Sequence, residues 1–101
     1  MKSQKNIENF LNSGNIKSME IKVGKITHFY NKIGVAVVEL SEPLQVGDTI
    51  HISGHATDIT QKVESIQMEH QNIARAEKGQ SIGMKVSGEV REKDIVYKVT
   101  D

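Results

Sequence analysis

The chain has 101 residues, 13 basic and 13 acidic side chains and no cysteine, so it is long enough for one modest core and too short for two. Without cysteine there are no disulfides or thiolate chemistry, and zero net charge argues against a field that attracts nucleic acid or anionic membrane. The longest apolar run, residues 34–38, is far shorter than the about 20 residues of a membrane helix, and no signal peptide is recognisable. We therefore expect one cytoplasmic domain without membrane association.

Residues 1–18 differ in composition from the rest of the chain. They are rich in Asn, Ser and Lys, and Ile7, Phe10 and Leu11 have the spacing of one helical face. A short helix or a disordered tail is the simpler interpretation, and a docking peptide for a partner is the alternative. Met19, at which a different pattern begins, is also a candidate alternative start.

From Met19 onward the apolar residues recur with the period of two that is typical of strands. One long segment, 57–68, is predicted as an extended strand with a bulge near residues 61–62, and residues 70–72 are predicted as a turn. The pattern predicts strands at 19–30, 35–40, 49–53, 57–68, 73–76, 82–86 and 95–99.

Glycines and one proline separate these strands. Glycine is expected at positive φ in the turns, proline fixes φ in the connection after the second strand, and an aspartate follows to hydrogen-bond its own turn. A further glycine within a strand marks a place where another backbone passes close. The turn residues are Gly34, Pro43, Gly47, Asp48, Gly79 and Gly83.

Strands at this spacing predict an all-β fold over residues 19–101, specifically a small closed antiparallel Greek-key barrel of six to seven strands. A closed barrel has no free sheet edges, so we expect a monomer.

Several short motifs recur in order along residues 20–99. They are Val23-Gly24-Lys25-Ile26, Gly34-Val35-Ala36, Leu44 to Ile50, Val63 to Ile66, Ala76 with Gly79 to Gly83, and Asp94-Ile95-Val96. In these motifs the chain resembles the second domain of elongation factor Tu and its GTPase relatives, and a similar barrel is appended to proteins of the collagenase-like peptidase family.

The resemblance implies a role beside the end of an aminoacylated tRNA, because the loop that matches Ile66 to Glu69 helps to form that site in the translation factors. Where those relatives carry a carboxylate and then an aromatic residue, this chain has Gln67 and Glu69. With Met68, these residues are the candidate contacts on this loop. No Gly-x-x-x-x-Gly-Lys-Ser/Thr sequence is present, so we expect no GTP binding.

A second candidate surface follows from the first strand and its turn. Basic and aromatic side chains are interleaved there, as in proteins that bind nucleic acid through phosphate contacts and base stacking. A solvated outer strand face is the simpler alternative. The residues are Lys22, Lys25, His28, Phe29, Tyr30 and Lys32.

Catalytic and metal chemistry find no support in the sequence. The His51-x-x-x-His55 pair spans a strand end rather than one helical face, so exposed polar residues explain it better than a metal site. Met68 and Met84 are interpreted as core residues rather than a binding patch. No Ser, His and Asp set stands in a nucleophile context, and we expect no enzyme activity and no cofactor.

Two functional hypotheses follow. In the first, the chain is a non-catalytic binding module that acts in translation or tRNA metabolism through a protein or ribonucleoprotein partner, such as a translation or tRNA-modification protein. In the second, it binds tRNA or rRNA directly through the Lys and aromatic face of the first strand.

Overall fold

The computed structural model describes residues 19–100, and none of these residues is helical. The helix or tail expected over residues 1–18 lies outside the described residues. The all-β prediction is confirmed. The strands are β1 (Met19–Tyr30), β2 (Val35–Leu40), β3 (Leu44–Gln45), β4 (Thr49–Ser53), β5 (Asp58–Lys62), β6 (Ile66–Met68), β7 (Gln71–Ile73), β8 (Arg75–Ala76), β9 (Ser81–Lys85) and β10 (Ile95–Thr100).

Eight strands form one antiparallel sheet in the order β5-β4-β10-β1-β2-β9-β6-β7, and β3 pairs with β8 in a separate two-stranded sheet. The closed barrel of six to seven strands is not confirmed, because among residues 19–100 the pairing ends at β5 on one side and at β7 on the other.

Strand β1 changes partners along its length. Among residues 19–100, its first residues, Met19 to Lys22, pair with β10 alone, whereas pairing with β2 begins at Gly24. The register shifts between Lys22 and Gly24 and again between Ile26 and His28. Such bulges bend a strand and increase its twist, so β1 can follow the curved sheet while it keeps apolar side chains inside.

The segment predicted as one bulged strand over 57–68 is two strands, so that prediction is wrong. β5 pairs with β4, whereas β6 pairs with β7 and β9. Between them the chain turns at Val63, whose side chain is buried and whose backbone bonds to Gly47 and Asp48. The burial of Val63 thus draws the chain away from β5 toward the interior.

The turn predicted at residues 70–72 lies one residue earlier. Glu69 and His70 connect β6 to β7, with φ of 53° and 67°, while residues 71 and 72 are in β7. Two central residues at positive φ are typical of the tight turns that join two strands directly. The sequence signal was weak because Asn-Gly, not Glu-His, is the usual pair at this turn.

Three of the predicted turn glycines and Asp48 have the geometry that their types favour. Gly34, Gly47 and Gly79 have φ of 67°, 97° and 90°. The Asp48 carboxylate accepts a hydrogen bond from the Gln45 amide at 3.0 Å. The interior of the sheet is apolar and comprises Val23, Ile26, Ala36, Val38, Leu40, Leu44, Ile50, Ile52, Val63, Ile66, Ala76, Ile82, Met84, Val86, Val90 and Val96.

The Gln61 side chain links β5, at one end of the sheet, to the last residue of β9 and to the segment that follows it. The Gln61 amide donates to the Lys85 carbonyl at 3.0 Å, and its oxygen accepts from the Ser87 backbone amide at 2.7 Å. Gln61 thus provides both a donor and an acceptor where the strand ladder is interrupted.

Replacing Gln61 by Ala is therefore expected to lower the free energy of unfolding by about 1 kcal/mol, the usual contribution of such hydrogen bonds. Urea unfolding followed by circular dichroism measures the change. Gln71→Ala, at an exposed position, is the matched control and should leave the midpoint nearly unchanged. Equal midpoints for both variants would contradict the bridging role.

The turn after β4 leaves no room for a side chain at Gly54. A Cβ atom there would collide with the carboxylate of Asp94, a side chain that is 5% exposed. Asp94 is fixed because its carboxylate accepts from the Arg91 amide at 2.8 Å and its backbone carbonyl accepts from Ile26 at 2.8 Å. Gly54 therefore allows the 91–94 turn to pack against the end of β4.

We expect Gly54→Ala to destabilise the protein by about 1–3 kcal/mol, the range for adding a methyl group to a filled site. Thermal unfolding compares it with Gly83→Ala, where the new methyl group would meet the nearest atom, a Val35 methyl carbon, at an ordinary 3.4 Å. A Gly54→Ala melting temperature equal to that of Gly83→Ala would show that Asp94 can move aside.

Candidate binding surface

The residues predicted on β1 do not form one compact site. Lys22 and Tyr30 are eight positions apart, which is about 26 Å along a strand. Lys22 and Lys25 line a cleft with Glu39, which stands opposite Lys25 in the β1–β2 register. A carboxylate therefore stands beside one of the two cations.

The aromatic residues cluster at the other end of β1, in the hairpin that joins it to β2. The rings of His28 and Tyr30 meet edge to face with their centroids 4.2 Å apart. Phe29 points the other way and packs against the core. Tyr30 is 51% exposed, and Ile33 in the turn is 60% exposed. Lys32 lies between them and is exposed.

A shallow groove of about 500 Å³ begins at Ile33 and crosses the outer face of four strands. Gly83 lies opposite Gln67 in the β9–β6 register, and Gln67 lies opposite Asn72 in β7. Because Gly83 has no side chain, the sheet surface is lowest there. We call this groove, together with Tyr30, the hairpin groove; its lining is Ile33, Val35, Ser65, Gln67, Asn72, Gly83, Met84 and Lys85.

The structure therefore brings together two groups of predicted residues that the sequence treats separately. Gln67 lies in the groove, and Ile33 connects it to the aromatic hairpin. Met68 is half-buried against the core, as the core interpretation predicts, and Glu69 lies in the β6–β7 turn. Met84 is 1% exposed and belongs to the core.

A network around His51 was missed by the sequence analysis, which treated this residue as an exposed polar side chain. His51 Nδ1 lies 3.0 Å from Glu20 Oε1, and Nε2 lies 2.6 Å from Asp58 Oδ1. The three residues come from β4, β1 and β5, and the His51 side chain is 21% exposed. Glu20 and Asp58 are 31 and 7 positions away from His51 in the sequence. Only the strand order could have shown that these side chains meet.

The electrostatics of this network favour a charged imidazole. The hydrogen bonds with Glu20 and then with Asp58 raise the pKa of His51 above its ordinary value of 6.5, against the opposing effect of partial burial. His51 is thus held as a cation between two carboxylates over a wider pH range than a free histidine.

Within residues 19–100, no three His, Asp or Glu side chains are arranged so that they could hold a metal ion. The described part of the chain also contains no helix that is long and apolar enough to cross a bilayer.

Comparison with known proteins connects this chain to peptidases. No protein-family model matches it. A Methanocaldococcus jannaschii protein named as an uncharacterized protease is 40% identical over 82 residues, which are 80% of this chain and 20% of that protein. A Porphyromonas gingivalis protein named collagenase is 42% identical over 81 residues, 78% of this chain and 20% of the collagenase. The chain thus spans about a fifth of the length of these relatives.

Among solved structures, the chain resembles a domain appended to such a protein. The crystal structure is that of the C-terminal domain of a Geobacillus thermoleovorans protein described as a U32 peptidase. It matches with a TM-score of 0.72 and 22% sequence identity, over 78% of this chain and 91% of the domain. This likeness shows the fold, an all-β domain of the kind found at the C-terminus of that peptidase.

These comparisons overturn the translation hypothesis. The relatives are named as a protease and collagenases, so a role in translation or tRNA metabolism is wrong, and so is the alternative of direct RNA binding through β1. The resemblance to the elongation-factor domain is not shown, whereas the peptidase side of the resemblance agrees with the relatives found. Glycine-bearing turns indicate the shape of a β domain and do not distinguish the proteins that carry it.

The exposed hairpin residues are expected to contribute little to folding. Replacing Ile33 by Ser should change the free energy of unfolding by less than about 0.5 kcal/mol, as is usual for exposed positions. Ile82→Ala, in the core, is the comparison and should cost about 2–5 kcal/mol. Urea unfolding measures both. A large loss of stability for Ile33→Ser would mean that this side chain is structural and not available to a partner.

Proposed function

We propose that this chain is a non-catalytic β module that binds a peptidase of the U32 type and contributes to its activity through protein contacts. The observation that carries this proposal is the structural match, which covers 91% of the C-terminal domain of a U32 peptidase. In agreement with it, the chain matches about a fifth of the length of proteins named as a protease and a collagenase. Because the matched structure is a C-terminal domain, we expect the residues described here to act through protein contacts rather than on a substrate bond.

The chemistry of the described residues supports a non-catalytic role. His51 is held on both sides, because each of its ring nitrogens faces a carboxylate oxygen. A general base needs a free nitrogen within reach of the proton that it accepts. His51 in this state has none, so it does not suit proton transfer.

The hairpin groove is the proposed contact surface. Tyr30 and Ile33 expose apolar area at its end, and the amides of Gln67 and Asn72 stand on its far side. Exposed apolar area beside hydrogen-bonding groups is a common composition of protein interfaces. Tyrosine is also among the residues that contribute most when such surfaces bind.

A chimeric enzyme tests the proposal. In the Porphyromonas gingivalis collagenase, the 81 matching residues are replaced by those of this chain, and cleavage of gelatin is measured. We expect the chimera to keep at least half of the parental activity. The same chimera with Tyr30→Ser and Ile33→Ser should lose at least tenfold, because the apolar contact is removed.

A chimera with Lys78→Ser, in an exposed turn, is the matched control and should remain active. Melting temperatures of all chimeras verify that they are folded. The isolated 101-residue chain should cleave no gelatin. Cleavage by that chain would show an enzyme, and full activity of the Tyr30→Ser, Ile33→Ser chimera would exclude the hairpin groove as the contact.

A further inference from the structure

The start of β1 is held differently from the rest of the strand. Met19 to Lys22 pair with β10 on one side, and pairing with β2 begins only at Gly24. Met19, Glu20, Ile21 and Lys22 are all exposed. Within the part of the chain that the structure describes, this segment has one neighbouring strand and little buried area, so we expect it to open more readily than the remainder of the sheet.

The His51 network supplies an additional contact to this segment. β1 and β4 are not neighbours, because β10 lies between them in the sheet. The Glu20 side chain nevertheless reaches His51 across β10, with Glu20 Oε1 3.0 Å from Nδ1. On its other side His51 contacts Asp58 of β5. The network therefore ties the start of β1 to the β4–β5 hairpin.

Both contacts require the same protonation state. An ionised carboxylate accepts hydrogen bonds and cannot donate them, so each ring nitrogen must carry a proton to bond with its carboxylate. A neutral imidazole carries one proton and can satisfy only one of the two partners. Loss of one proton therefore breaks one of the bonds that hold the network together.

We propose that Glu20, His51 and Asp58 form a pH-dependent latch, which fixes residues 19–22 to the β4–β5 hairpin when His51 is charged and holds them less firmly when His51 is neutral and can donate to only one of the two carboxylates. The latch is independent of the proposed binding function, because it lies at the opposite end of β1 from Tyr30.

The charged groups around His51 favour the closed state. β1 contributes Glu20 and also Lys22, which shares a register row with Tyr97 and His51. β10 contributes Tyr97, whose ring centroid lies 6.3 Å from that of His51. β5 contributes Asp58, with the uncharged Thr60 opposite His51 and Lys62 at its end. The two nearest charges are both negative and bonded to the ring, so they outweigh the cations.

The sign of the pH dependence follows from the raised pKa of His51. The folded state binds the proton more tightly than the unfolded chain does, so the stabilisation is fully present below the unfolded pKa of 6.5. It is lost as the pH rises through the higher pKa of the folded state. The latch is thus closed in mildly acidic solution and weakens on the alkaline side of that pKa.

Hydrogen exchange of the full 101-residue chain tests the latch. Amide protection factors of residues 19–22, corrected for intrinsic exchange rates, are measured by NMR at pH 6.0 and pH 8.5. We expect a decrease of at least fivefold at pH 8.5, whereas protection of β2 amides should change by less than twofold. The pKa of His51, measured from its ring signals in the same samples, should lie above 6.5.

Two variants separate the latch from a general effect of pH. Glu20→Gln should lower the His51 pKa and reduce protection of residues 19–22 at pH 6.0 to the pH 8.5 value of the parent chain. Glu64→Gln, at an exposed position outside the network, should behave like the parent. A protection factor that stays constant while His51 titrates, or a His51 pKa at or below 6.5, would overturn the proposal.

Discussion

The curvature of β1 is the constraint on which the rest of the structure depends. A twelve-residue strand can keep apolar side chains in one interior only if it bends, and two register shifts allow it to do so. The same bends let β1 pair with β10 at its start and with β2 at its end. This change of partner explains why residues 19–22 extend beyond the part of β1 that pairs with β2. It also explains why the aromatic hairpin lies at the other end of the strand.

The sequence predicted the class of fold because the period of two is directly visible, and β1, β2 and β4 lie where the alternation placed them. The prediction from sequence failed where burial or contacts between distant residues determine the path of the chain. Val63 enters the core and separates β5 from β6, which alternation alone cannot show. The link from Gln61 to Lys85 and the one from Glu20 to His51 depend on sheet order, to which local patterns are insensitive.

The candidate surface could be predicted only in part. Tyr30 was recognised together with Phe29, which instead packs against the core, and the role in RNA binding expected of both was wrong. Exposed aromatic and basic residues can bind several kinds of partner. Comparison with similar proteins is needed to distinguish among these partners. Ile33 and Asn72 were not recognised, since an isolated apolar residue in a turn and a polar residue in a short strand carry no signal until the groove brings them together.

The β6–β7 hairpin has a further consequence for the order in which the sheet assembles. Its turn residues, Glu69 and His70, adopt a left-handed backbone that costs about 1–3 kcal/mol for each residue without glycine. Its strands have three residues each, so the hairpin gains little from its own pairing. We infer that this corner is unstable in isolation and becomes ordered only when Ile66 docks beside Met84 of β9, which makes it a late event in folding.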